Sequence, residues 1–115
     1  METTAADKRR SPRVWFREAI GYLKIKENHF GGCLGVNLGE GGLRFYFSDF
    51  IPPDTEMLFN FPLSNQYLTG ISGRVAWVQK LPHSEQYQVG VKFERNSANI
   101  QLLKQLQQYV ESQLA

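Results

Sequence analysis

Residues 37–48 read NLGEGGLRFYFS. The second half alternates without a break. Leu43, Phe45 and Phe47 fall on one side of an extended chain, and Arg44, Tyr46 and Ser48 on the other. A period of two sends successive side chains to opposite faces of a sheet, so this is a strand with one face in a core and the other in water. The first half breaks a strand. Gly39, Gly41 and Gly42 permit left-handed backbone angles and a close approach of N–H groups to a ligand. A strand closing at Asn37, a glycine turn and an alternating strand make a hairpin, and the chain is read outward from it as a β protein.

Downstream, DFIPPD is a loop, because adjacent prolines cannot donate to a sheet ladder. Met57, Phe59 and Phe61 are the inward set of the next strand. A long strand follows in LTGISGRVAWVQK, with Ile71, Val75 and Trp77 in register and Gly70 and Gly73 as bend or bulge positions. YQVGVKF places Val89, Val91 and Phe93 on one side. Upstream, EAIGYLKIK puts Ile20, Tyr22 and Lys24 opposite Ala19, Leu23 and Ile25. ENHFGG supplies a hairpin turn before a short strand over residues 33–37.

The end of the chain changes period. Residues 97–113 lack glycine and proline, and Ile100, Leu103, Leu106 or Gln107, Val110 and Leu114 recur at helical spacing. Asn96 or Ser97 caps the first turn. Some six antiparallel strands must hide their edges, which a small closed barrel does best. The expected fold is therefore all-β dominated: a six-stranded antiparallel barrel with a C-terminal α-helix over 97–113 and a flexible N-terminal arm over 8–17, in one domain from residue 8 to 115, after a disordered stretch over 1–7.

Charge is uneven. The net charge is +2, yet residues 1–17 hold Lys8, Arg9, Arg10, Arg13 and Arg17 against only Glu2 and Asp7. The rest of the chain is close to balanced, which counts against oligonucleotide binding along the barrel. Pro12 pushes Ser11 toward extended backbone, so the arm enters the domain as a strand or turn rather than a helix. No apolar run is long enough to cross a membrane, and no secretory signal is evident at the start. A lone cysteine, Cys33, fits a reducing compartment, so the expected location is cytoplasmic.

The chemistry of an enzyme is not visible. His29 and His83 sit in turns without metal-ligand spacing. Cys33 has no histidine beside it and reads as core filler. No serine occupies a nucleophile elbow and no carboxylate pair stands out. Two binding features remain. Arg9 and Arg13 stand four apart around Ser11-Pro12, each offering a planar fork suited to phosphate or to the O6/N7 edge of guanine. Asn37 carries an amide that donates and accepts, at the mouth of the glycine turn.

Taken in order, these features resemble the PilZ domain, a bacterial receptor module for cyclic di-GMP. The family's basic RxxxR arm is matched by Arg9 and Arg13 within KRRSPR. Its D/N-x-S-x-x-G turn is matched by NLGEGG, with Asn37 first and Gly42 last. GRVAWV and YQVGVKF resemble the strands that follow. Gly39 stands where the family usually has serine, which removes a ligand-facing hydroxyl. The resemblance implies a sensor without catalysis or cofactor. It implies that the ligand is cyclic di-GMP, bound by Arg9, Arg13, Asn37, Gly39 and Gly42 with longer-range help from Lys8 and Arg10. It further implies an arm that orders on binding and a protein partner in a bacterial signalling pathway that reads the change. Two rivals are carried beside it. One is an adaptor of the same fold with weak or no nucleotide binding, using the terminal helix or the face bearing Tyr46 and Tyr67. The other is a small nucleic-acid-binding barrel stacking bases on Trp15, Phe16 and Tyr22.

Overall fold

The structure, a computed structural model, describes residues 13–39, 41–64 and 66–114. The expected disorder over 1–7 and the expected roles of Lys8, Arg9 and Arg10 lie outside the described residues. Among the described residues seven strands and one helix follow in order: β1 (Arg13–Trp15), β2 (Ala19–Lys24), β3 (His29–Gly39), β4 (Gly42–Phe47), β5 (Glu56–Pro62), β6 (Tyr67–Lys80), β7 (Tyr87–Phe93) and α1 (Ser97–Leu114). All pairings are antiparallel. The sheet runs β3-β2-β5-β6-β7-β4 and closes through β3–β4, which makes a six-stranded barrel without a free edge among those strands. β1 is an extra strand laid on β3.

The alternating pattern predicts the wall well. Leu43, Phe45 and Phe47 of β4, Met57, Phe59 and Phe61 of β5, and Val89, Val91 and Phe93 of β7 all face the core. Their rings meet edge to face, as in Phe45–Phe59 at 5.8 Å and Phe61–Phe93 at 6.1 Å between centroids, the arrangement that aromatic quadrupoles favour. α1 closes one end of the barrel with Leu103, Leu106 and Val110, while Ile100 and Leu114 stay exposed. Its first turn is capped by Asn96, whose Oδ1 accepts from the Asn99 N–H at 2.9 Å. Asn99 is itself buried and fastens the helix to β6. Its Oδ1 accepts from the Ser72 N–H, and its Nδ2 donates to the carbonyls of Ser72 and Glu94. Among the described residues no helix is long and apolar enough to cross a membrane.

Four expectations need correction. First, residues 13–17 are not a flexible arm. β1 pairs with β3, the Phe16 N–H donates to the Val36 carbonyl, and the Phe16 ring is buried between Phe61 and Tyr109. A large aromatic anchor and satisfied backbone bonds outweigh the segment's charge. Second, the upstream turn falls before His29, with Asn28 at φ 53°, so β3 takes in FGG and reaches Gly39 instead of stopping at Asn37. That length lets β3 hold β2 and β1 on one edge and β4 on the other. Third, Trp77 is not in register with Val75. A bulge between them turns its indole outward. Fourth, Gly39 and Gly42 lie in strands and do not take left-handed angles. Among the described residues the left-handed glycine is Gly70, at φ 79°, beside the irregularity between Phe59 and Phe61.

Candidate functional site

The registers of five strands align one row of residues across the outer barrel wall. Trp15 opposes Asn37, Asn37 opposes Arg44, Arg44 opposes Gly90, and Gly90 opposes Trp77. One step toward the glycine turn, Arg13 opposes Gly39 and Gly42 opposes Lys92. The basic segment and the glycine turn, distant in sequence, are therefore hydrogen-bonded neighbours.

Arg13 joins the two ends of that turn. Its Nε donates to Asn37 Oδ1 at 2.9 Å, and a terminal guanidinium nitrogen donates to the Gly42 carbonyl at 3.3 Å. Asn37 is buried beneath it. The arginine is thus half-buried and held in position before any ligand arrives. A glycine is required at position 42, because a Cβ there would overlap the Val91 carbonyl.

A groove of about 520 Å³ opens beside this arrangement. Arg13, Arg44 and Lys92 supply positive charge, Gly41 and Gly42 supply backbone, and Trp77 forms the far side. No carboxylate of the described residues lines it. The indole of Trp77 lies directly over Gly90, where any Cβ would overlap the ring. The missing side chain lets the indole lie against the wall while 38% of the residue remains exposed. Three cations and an exposed aromatic face suit an anion that carries a flat ring system.

The sequence reading placed Arg13, Asn37, Gly39 and Gly42 in the site, and the fold brings these four together. It missed Arg44, Lys92 and Trp77. Arg44 and Lys92 were legible as outward-facing positions, but which strands neighbour each other was not. Trp77 was hidden by the bulge.

Elsewhere the described residues hold no group of three or more His, Cys, Asp or Glu side chains able to share a metal. The Tyr22 hydroxyl and His29 Nε2 form a hydrogen bond of 3.1 Å. Cys33 is buried in the core, and that burial pushes its thiol up to about 12, so it stays protonated and poorly nucleophilic at neutral pH.

Comparison with known proteins supplies the deciding observation. The family model described as PilZ domain matches residues 7–112. The chain belongs to the PilZ family. PilZ proteins also stand among its structural neighbours. The Bacillus subtilis inhibitor of motility, MotI/DgrA, superposes with a TM-score of 0.74 at 14% identity, over 93% of this chain and 51% of that one. The PilZ domain of Escherichia coli YcgR, determined with c-di-GMP, gives 0.66 at 13% identity over 91% and 90% of the two chains. The K. pneumonia MrkH–c-di-GMP complex gives 0.60 at 18% identity over 93% and 51%. At these identities the likeness is one of fold, and the chain spans about half the length of MotI and MrkH. A search of curated proteins found no match.

Proposed function

We infer that this PilZ domain is a receptor for cyclic di-GMP that passes the signal to a partner protein, without catalysis of its own. The observation that carries this reading is Arg13, held by Asn37 and Gly42 at the rim of a cationic groove whose far side is Trp77. Membership of the family and the c-di-GMP named for the YcgR and MrkH structures support it.

The ligand carries two phosphates and two guanines. Arg13, Arg44 and Lys92 offset the phosphate charge, and the forks of Arg13 and Arg44 match paired acceptors on phosphate or on guanine O6/N7. A guanine stacks on the exposed face of Trp77. Arg9 stands four residues before Arg13. An extended chain of that length spans at most about 14 Å, enough to bring a second guanidinium over the same groove. Lys8 and Arg10 add long-range attraction. Binding fixes residues 8–12 across the groove and so creates a surface for the partner.

Gly39 lacks the hydroxyl common at its position, but it lies in β3 and carries no left-handed backbone that would penalise a side chain. Gly39→Ser is expected to tighten cyclic di-GMP binding roughly two- to tenfold, the worth of one neutral hydrogen bond, measured by isothermal titration calorimetry. The absent hydroxyl is also the observation behind the second reading, a PilZ-fold adaptor with weak or no nucleotide binding.

Titration of the purified chain with cyclic di-GMP, and with cyclic di-AMP as the control for the guanine edge, tests the reading. Saturable heat with the guanine nucleotide and much weaker heat with the adenine one supports it. No heat at millimolar cyclic di-GMP selects the adaptor.

A further inference from the structure

The row of residues that carries the groove does not end at Arg44. It continues through Asn37 to a second tryptophan, Trp15, which is 69% exposed. The Arg17 guanidinium lies 5.4 Å from the centre of the Trp15 ring. A second hollow of about 360 Å³ opens here, lined chiefly by Trp15, Arg17, Leu34, Arg44, Tyr46 and Gln88. Arg44 lines both hollows and stands between them. Among the described residues neither Arg17 nor Arg44 forms an ion pair, and no carboxylate lines the second hollow. The second hollow repeats the composition of the first: an exposed indole beside guanidinium forks and side chains able to hydrogen-bond a base edge.

We propose that Trp15 and Arg17 form a second purine-stacking platform, taking a guanine whose O6/N7 edge meets the guanidinium of Arg17 or Arg44. This rests on the reading of the Trp77 groove as the cyclic di-GMP site. The two tryptophan backbones are four strand spacings apart, and the Trp77 indole reaches back over Gly90, which leaves the rings about three spacings, or about 14 Å, apart along the wall. A dinucleotide folded with its bases stacked together does not span that distance. The guanine at Trp15 belongs either to one dinucleotide opened across Arg44 or to a second molecule. The chemistry recognised is the same in both cases.

The chain has two tryptophans, so each platform carries its own probe. Trp15→Phe leaves Trp77 as the sole emitter, and Trp77→Phe leaves Trp15. Each variant is titrated with cyclic di-GMP to saturation, verified by calorimetry, while indole fluorescence is followed. The expected result is quenching of both indoles, with Trp15→Ala weakening binding of the Trp15-dependent equivalent roughly five- to hundredfold. One equivalent per chain with both indoles quenched assigns the open dinucleotide, and two equivalents assign a second molecule. Quenching of Trp77 with Trp15 unchanged at saturation overturns the proposal and leaves the functional reading intact. Quenching of neither, with no binding heat, overturns that reading and this proposal with it.

Discussion

Replacing Arg13 by alanine is expected to lower affinity for cyclic di-GMP roughly ten- to hundredfold, a loss of about 1.5–3 kcal/mol. The size follows from what the side chain does. A charged, bidentate donor contributes about twice what a neutral hydrogen bond does. Arg13 is also already positioned, because β1 pairs with β3 and Asn37 Oδ1 holds the Nε. Little rotamer entropy remains to be lost on binding, so most of the interaction shows up as affinity. Arg13→Lys is expected to fall between wild type and alanine, since it keeps the charge and loses the fork. Calorimetry on the three proteins checks the order. Equal dissociation constants for wild type and alanine would remove Arg13 from the site.

Phe16→Ala is the second large effect, and it acts on stability. Phe16 is 2% exposed, with its ring 5.9 Å from Phe61 and 6.1 Å from Tyr109. Truncating a ring of that burial costs about 3–5 kcal/mol, from lost transfer energy and from the cavity left behind. That is a large fraction of the stability of a domain this size. Phe16 is also the point where β1, the barrel core and α1 meet, so the variant should loosen β1 and release Arg13 from Asn37. Urea unfolding followed by circular dichroism measures the first effect. A loss below about 1 kcal/mol would show that the ring is not packed as described.

Much of this architecture is legible in the chain because closed barrels impose alternation. Leu43, Phe45 and Phe47, or Val89, Val91 and Phe93, need a period of two and nothing else to be assigned inward. Local chemistry likewise narrows the cap to Asn96 or Ser97, of which Asn96 serves, and the bend to Gly70 or Gly73, of which Gly70 takes the left-handed angle. What escaped the reading is whatever depends on long-range pairing. Residues 13–17 look like a charged arm in isolation. They are a strand because β3 is long enough to offer them an edge and because Phe16 finds the core. Gly35 permits that arrangement, since a Cβ there would come within 2.5 Å of the Phe16 carbonyl oxygen. Trp77 reads as core until a bulge after Val75, invisible in composition, turns it outward onto Gly90.

The same division holds for the site. Its first four residues came from a basic segment and a glycine turn, and their meeting depends only on the β1–β3 and β3–β4 pairings. Arg44, Lys92 and Trp77 join them because β4, β7 and β6 are successive neighbours in the barrel. That order follows from closure and has no local signature.

An amide NMR titration of the isotopically labelled chain with cyclic di-GMP tests the central claim most directly. The account predicts shifts concentrated at Arg13, Asn37, Gly39, Gly42, Arg44 and Gly90, together with the indole N–H of Trp77, while the helix resonances from Gln101 to Gln108 stay in place. Saturating shifts confined to α1, or a spectrum unchanged at millimolar nucleotide, would contradict it.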